Sequence, residues 1–201
     1  MLKPHWTPRY LCDRAAMYVY EWTHPQAPWL TPKANAILSR ELQPQWRGVE
    51  WGAGRSTVWL STRVAHLTSI EHDFAWHAQV REKLSRQHTH HASLHRVGTD
   101  LENYLAPATA LDDASLDFAL VDGIHRAECV QVAIQKLRPG GMLIVDNIER
   151  YVPHTTRSPE AIGPDADPIS PEWERAWATI SIWPHRWTSS GVTDTAIFTK
   201  P

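Results

Sequence analysis

Acid recurs wherever an apolar run gives way to a turn: at Glu50, Glu71, Asp100, Asp122 and Asp146, the last followed by Asn147. The stretch "GVEWGAGRSTVWLS" (48–61) sets Gly52 and Gly54 one residue apart just beyond Glu50, and His125 follows Asp122 by three residues. A phosphate site would want glycines, backbone N–H groups and usually Lys or Arg. Here the glycines come with carboxylates, so this edge suits a cation, or a ligand rich in hydroxyls and amines. Glu71 follows Glu50 by 21 residues, and an acid at the end of a second strand typically grips ribose hydroxyls. That feature suits NAD equally well. A dinucleotide fingerprint, however, carries a third glycine for close helix packing, and Thr57 holds that place in "GAGRST". Glu50 would also repel a pyrophosphate. A ligand carrying an ammonium and a sulfonium fits better.

The elements that must position these residues alternate. Residues 9–21 read as a helix, and Pro25 and Pro28 break the chain. A second helix over 31–42 has Thr31 as its cap and Pro32 at its first position. Strand 46–51 leads through the glycine turn into helix 56–65. Strand 66–72 leads into helix 73–87, with Asp73 as cap. Strand 92–98 precedes a short helix and loop over 99–115. Strand 116–123 is a nearly continuous apolar run, as a buried parallel strand should be. Helix 126–137 is stopped by "RPGG" (138–141), and strand 142–147 follows. The pattern predicts an α/β fold: a Rossmann-like, doubly wound, mostly parallel sheet with helices on both faces. Residues 150–171 hold five prolines, a long connection of the kind that forms lids or substrate loops. Ser170 caps a last helix, and "HRWTSSG" and "DTAIFTK" close the chain as an antiparallel pair joined near Gly191.

The bulk numbers narrow the field. The 201 residues favour one domain over 1–201, with an N-terminal helical cap (1–45), a cofactor-binding core (46–148) and a substrate loop, helix and final strands (149–201). Lys+Arg is 20 against Asp+Glu 22. That balance supplies neither a basic field for nucleic acid nor an acidic tail. No apolar run approaches membrane-spanning length, and the amino terminus lacks a signal-peptide core. Cys12 and Cys129 match no metal or redox spacing and read as thiols of a reducing, cytoplasmic compartment. "HTHHASLH" (His88, His90, His91, His95) matches no common zinc spacing and reads as a solvated loop. The tryptophans cluster at 6–76 and 173–187. Either they pack as large rings within core and rim, or the chain ends meet as an aromatic wall.

The pattern E-x-G-x-G-x-S, an acid-ended second strand, "VDGIHR" and "LRPGGMLIVDN" in this order resemble the class I S-adenosylmethionine-dependent methyltransferases, in the branch of small-molecule, catechol-type O-methyltransferases. The resemblance covers about residues 30–148. It implies that Glu50, Gly52 and Gly54 hold the methionine end of the cofactor, with Ser56 reaching its carboxylate. Glu71 would bind the ribose diol. His72 and Asp73 would lie beside the adenine, Asp100 would meet its amine, and Asp122 would close the cofactor site. In the metal-dependent branch, the places of Asp122, Asp146 and Asn147 bind a divalent ion, and three hard oxygen ligands suit Mg²⁺. The same residues could instead cap helices or loops. His125 takes a place where that branch can carry a lysine base. A neutral histidine can accept a hydroxyl proton near neutral pH, or it can serve as a helix-capping group. His125 and Asp122 are thus the catalytic candidates. The expected partner is a small-molecule acceptor, not nucleic acid or membrane, with a homodimer left open. Two rivals stand beside this reading: an NAD(P)-dependent oxidoreductase, and a non-catalytic protein that keeps the fold as a binding module.

Overall fold

The computed structural model describes residues 6–87 and 91–201; His88 and His90 of the histidine-rich stretch lie outside the described residues. In chain order the elements are α1 (Pro8–Thr23), α2 (Pro32–Glu41), β1 (Arg47–Trp51), α3 (Arg55–Ser61), β2 (His66–Glu71), α4 (Phe74–Arg86), β3 (Ala92–Arg96), α5 (Leu101–Thr109), β4 (Leu116–Val121), α6 (Arg126–Lys136), β5 (Leu137–Asp146), α7 (Pro171–Ile180), β6 (His185–Ser189) and β7 (Asp194–Thr199). A single 3-10 turn, Ile148–Arg150, follows β5. The seven strands form one Rossmann-like sheet in the order β3-β2-β1-β4-β5-β7-β6. β1 to β5 are parallel, and β7 runs antiparallel to both β5 and β6.

Strand periodicity decides which helices cover which face, because successive side chains point to opposite sides. Along β4, Phe118 and Leu120 pack with Leu38 of α2 and Leu60 of α3. Ala119 and Val121 pack on the other face with Tyr104 of α5, Val130 of α6 and Ile180 of α7. Both faces are buried, which is why this strand reads as continuous apolar sequence. The caps act locally, as their residue types require. Thr31, Asp73 and Ser170 each accept a backbone N–H of the helix they start, from Ala34, Trp76 and Trp173.

Two boundaries depart from the expected ones. α3 ends at Ser61, because the carbonyl of Trp46 draws the Ala65 and His66 amides into the start of β2. β5 begins at Leu137, with "RPGG" inside it. Leu116 pairs with Leu137 and Phe118 with Met142, so the extra residues bulge out of the ladder around Gly140 at φ +76°.

The chain ends do meet, through threonines. The Thr31 amide donates to Thr195 Oγ1 (3.2 Å), and the Thr31 and Thr188 hydroxyls lie 2.5 Å apart. Tryptophans from the two ends stack elsewhere: Trp29 on Trp76, Trp173 on Tyr151, and Trp187 on His154. Trp51 and Trp59, which flank the glycine turn, are both buried packing residues. Among the described residues no helix is long and apolar enough to cross a membrane.

Candidate active site

The site lies beyond the carboxyl ends of the parallel strands. Gly52 leaves β1 at φ +91°, a left-handed conformation that glycine tolerates best. Its amide donates to the Ile70 carbonyl, and the Asp122 amide donates to the Trp51 carbonyl. The turns after β1 and β4 are therefore in backbone contact. Gly54 differs. A Cβ there would meet only the Trp76 ring, at 3.7 Å. The protein does not need a glycine at this point to pack; the bare backbone instead leaves room in the cavity it lines.

That cavity has a volume of about 570 Å³, and Gly52, Gly54, Ser56, Glu71, Trp76 and Asp122 are among its walls. Glu71 Oε1 accepts the amides of His72 (2.8 Å) and Asp73 (2.7 Å) and lies 3.1 Å from His72 Nδ1. His72 and Asp73 line the same cavity. Trp76 was not singled out by its residue type, yet its Nε1 donates to the Ala53 carbonyl (2.5 Å) and closes the glycine turn.

Glu50 stands behind the turn and does not line the cavity. Its side chain points to the opposite face of β1 from Val49 and Trp51, beneath the first turn of α3, and is fully buried. Oε2 accepts from Thr57 Oγ1 (2.6 Å) and Ser69 Oγ (2.8 Å); Oε1 has no partner. Thr57 Oγ1 in turn accepts the Gly54 amide (2.8 Å). Thr57, which marked only a missing glycine in the sequence, thus links the buried acid to the turn. Burial pushes the Glu50 carboxyl up to about 7, against the hydroxyl bonds that lower it.

This has a consequence for stability. Between about 4.5 and about 7 the folded ligand-free protein holds a proton that the unfolded chain releases. Stability is then full below the lower value and falls by about 3 kcal/mol as pH rises through the upper one. Urea midpoints at pH 5 and pH 8 should show this fall, and Glu50→Gln should reduce it. A residual slope should remain, because burial also raises Glu149 to about 7. An unchanged slope in Glu50→Gln would remove the assignment.

Like Glu50, two further expected site residues lie outside the cavity wall. Asp100 caps α5, with Oδ1 on the Asn103 amide and Oδ2 on the Asn103 side chain, both at 3.0 Å, and it is not part of the cavity wall. His125 lines neither this cavity nor the one described next. Its Nε2 lies 2.7 Å from the Thr99 carbonyl, so that nitrogen carries the proton and donates. The ring packs edge-on against Tyr104. His125 occupies the N-cap position of α6, yet its side chain caps no amide of that helix.

A second cavity, about 630 Å³, lies between α1, the residues after β5 and the β6–β7 turn. Tyr10, Arg14, Trp29, Asn147, Arg150 and Thr193 contribute to it, and Trp29 also lines the first cavity. The proline-rich connection supplies Pro159 and Glu160. It is tied down by Ser158 Oγ donating to Asp194 Oδ1 (2.5 Å) and by the Ile162 amide on the Glu149 carbonyl.

The three expected metal ligands are engaged by the chain itself. Among the described residues no group of three His, Cys, Asp or Glu side chains could hold a metal ion. Asp146 is 3% exposed and accepts from Thr195 Oγ1 (2.5 Å). Asp122 pairs with Arg126 at 3.0 Å, and Asn147 Oδ1 accepts from the same guanidinium at 3.2 Å. One side-chain oxygen of each of the three thus has a donor within the chain. Burial raises both carboxyls, and the Asp122 charge adds to the rise at Asp146.

Residues 49–148 match the model of a methyltransferase domain family. The chain belongs to the methyltransferase family. It is of the class I, S-adenosylmethionine-dependent type that its motifs resemble, and the oxidoreductase alternative falls away. Solved structures agree in fold. An O-methyltransferase, TomG, from Streptomyces achromogenes, involved in tomaymycin synthesis and solved in complex with S-adenosylmethionine, aligns at TM-score 0.61 and 17% identity over 97% of this chain and 91% of its own. A methyltransferase from Geobacter sulfurreducens aligns at TM-score 0.58 and 17% identity, covering 98% and 93%. The tRNA (m1A58) methyltransferase TrmI from Aquifex aeolicus aligns at TM-score 0.54 and 11% identity, covering 83% and 66%. At such identities the likeness is one of fold, and it extends to proteins with unlike acceptors. No curated protein matches this methyltransferase in sequence.

Proposed function

We propose that the chain transfers the methyl group of S-adenosylmethionine to an oxygen of a small organic acceptor. The observation that carries this reading is the pair of cavities sharing Trp29 as a common wall. The first suits the cofactor: it has a bare backbone at Gly54, an acid at Glu71 for a diol, and two further carboxylates, Asp73 and Asp122, for a cationic ligand. When bound, the cofactor supplies an electrophilic methyl on a sulfonium. Gly52, Gly54 and Ser56 hold its methionine end, Glu71 its ribose, and His72, Asp73 and Trp76 flank the remainder. Glu50 supports the turn through Thr57 rather than by contact.

The second cavity is of the size that small-molecule sites usually have. Tyr10 and Trp29 give it an aromatic wall, and Asn147 and Thr193 give it polar positions. In this reading residues 1–45 cap the acceptor site, 46–148 hold the cofactor, and 149–201 complete the acceptor wall. Asp122 takes the acceptor's proton. Burial raises its affinity for that proton, and the paired Arg126 guanidinium opposes the rise. Holding two reactants in line supplies much of the rate in such transfers.

Calorimetry with S-adenosylmethionine and with NADH comes first, then mass spectrometry of a panel of hydroxyl-bearing acceptors. We expect S-adenosylmethionine alone to bind, and an O-methylated product. Trp29→Ala should raise KM for the acceptor about tenfold, as loss of an aromatic wall facing the ligand does. Binding of NADH alone would overturn the cofactor assignment. Cofactor binding without transfer to any acceptor would favour a binding module.

A further inference from the structure

Arg126, one residue past His125 at the start of α6, lies where the three expected metal ligands converge. A guanidinium has five N–H donors in a rigid fork, and here all five are used. Nε donates to the Gly123 carbonyl (2.8 Å). Nη1 donates to the Asp146 carbonyl and to Asn147 Oδ1 (3.2 Å). Nη2 donates to the Asp122 carbonyl (2.9 Å) and to Asp122 Oδ1 (3.0 Å). The side chain is only 12% exposed. The Asn147 amide is held from both ends. Its Nδ2 donates to Thr193 Oγ1 (2.6 Å), which itself donates to Glu149 Oε1 (3.2 Å), so the amide oxygen must face the guanidinium. The residues on either side of this cluster, His125 and Asn147, both sit at positive φ, +50° and +49°. A non-glycine residue held there costs energy, and such strain persists only where the surroundings impose it.

We propose that Arg126 is the resident cation of this site, standing where related enzymes would place a divalent ion, and that it orients Asp122 toward the cofactor cavity and Asn147 toward the acceptor cavity. Arg126 is a positioning residue: it bonds Asp122 and Gly123 of the first cavity wall and Asn147 of the second, and lines neither. A divalent ion would have to enter beside a fixed positive charge and displace the donors on Asp122 Oδ1, Asp146 Oδ1 and Asn147 Oδ1. A corollary rests on the O-methylation reading. A metal centre selects acceptors that chelate through two adjacent oxygens. A saturated guanidinium offers no open coordination position, so the acceptor of this chain presents one ionisable hydroxyl rather than a chelating pair.

The test uses metal binding to the full chain without cofactor or acceptor, so its outcome is independent of the methyl-transfer reading. Mn²⁺ is titrated and the free ion read by electron paramagnetic resonance. The wild type should bind no stoichiometric Mn²⁺. Arg126→Ala opens the oxygen cluster and should bind one Mn²⁺ per chain. The ion should also recover part of a melting temperature lowered by about 6–12 °C, the shift expected when a buried pair of this size of chain loses its cation. Arg126→Ala/Asp146→Asn should lose that binding again. If Arg126→Ala does not fold, Arg126→Gln, which keeps a hydrogen-bond donor without charge, takes its place. One Mn²⁺ per chain in the wild type, lost in Asp146→Asn, would overturn the proposal. So would a folded Arg126 variant that gains none.

Discussion

Replacing Glu71 by alanine is expected to raise the dissociation constant for S-adenosylmethionine about a hundredfold, equivalent to about 2.7 kcal/mol. The carboxylate is 4% exposed at the end of β2, and its three close contacts all fall on Oε1. Hydrogen bonds to a charged acceptor contribute roughly 1.5–3 kcal/mol, and a ligand hydroxyl left without its acceptor loses that and its desolvation energy as well. Alanine would also free the His72 and Asp73 amides, so the two effects need separating. Glu71→Gln keeps an acceptor oxygen and the shape of the turn while removing the charge. It should weaken binding only about tenfold, since neutral acceptors are roughly half as strong. Calorimetry on both variants, with circular dichroism to establish folding, reads the difference. Affinities within threefold of wild type in both would show that Glu71 does not touch the cofactor.

Gly52→Ala should be the most disruptive substitution in the glycine turn. Its φ of +91° disfavours any side chain. An added Cβ would come within 2.8–2.9 Å of the backbone atoms of Asp122 and Gly123, and backbone cannot rotate aside. We expect a loss of about 3–4 kcal/mol in stability, at the upper end of single-residue effects, and loss of cofactor binding as the two turns separate. Gly54→Ala makes the matched control. Its φ of −177° is extended backbone open to any residue, and its Cβ would have 3.7 Å to Trp76. That variant should keep its stability within about 1 kcal/mol yet bind the cofactor at least tenfold more weakly, because the methyl group intrudes on the ligand. Urea titration and calorimetry on the pair separate folding from binding. Equal loss of stability in both would argue against this division of roles.

Local signals carried most of what the sequence disclosed. Thr31, Asp73 and Ser170 cap their helices because a short polar side chain beside its own amides needs no distant partner. The unbroken apolar run of β4 betrays burial on both faces. Gly52 and Glu71 are legible for the same reason, each sitting at a strand end whose geometry is set within a few residues. Pairings made across the chain were not. Nothing local distinguishes Thr57 as the link between Glu50 and Gly54, or Trp76 as the group that closes the turn. Arg126 reads as an ordinary charge at a helix start, and its five acceptors come from four residues on two strand ends. The oxygens of Asp122 and Asn147 could be named one by one, but not the guanidinium in the neighbouring letter that bonds both. His125 stood out by residue type, and the partner of its Nε2 is a carbonyl 26 residues away.

The order of the strands also bears on how the chain is made. β5 ends at Asp146, but the strand that covers its free edge, β7, does not begin until Asp194. At a synthesis rate of roughly 5–20 residues per second, the stretch 147–193 takes about 2–10 s to emerge. Throughout that time Met142–Asp146, a buried apolar strand in the finished sheet, has an unpaired row of amides and carbonyls. Such edges recruit other strands. Until β7 pairs, this edge of the methyltransferase is open to other strands, and chaperones that shelter nascent chains would protect it.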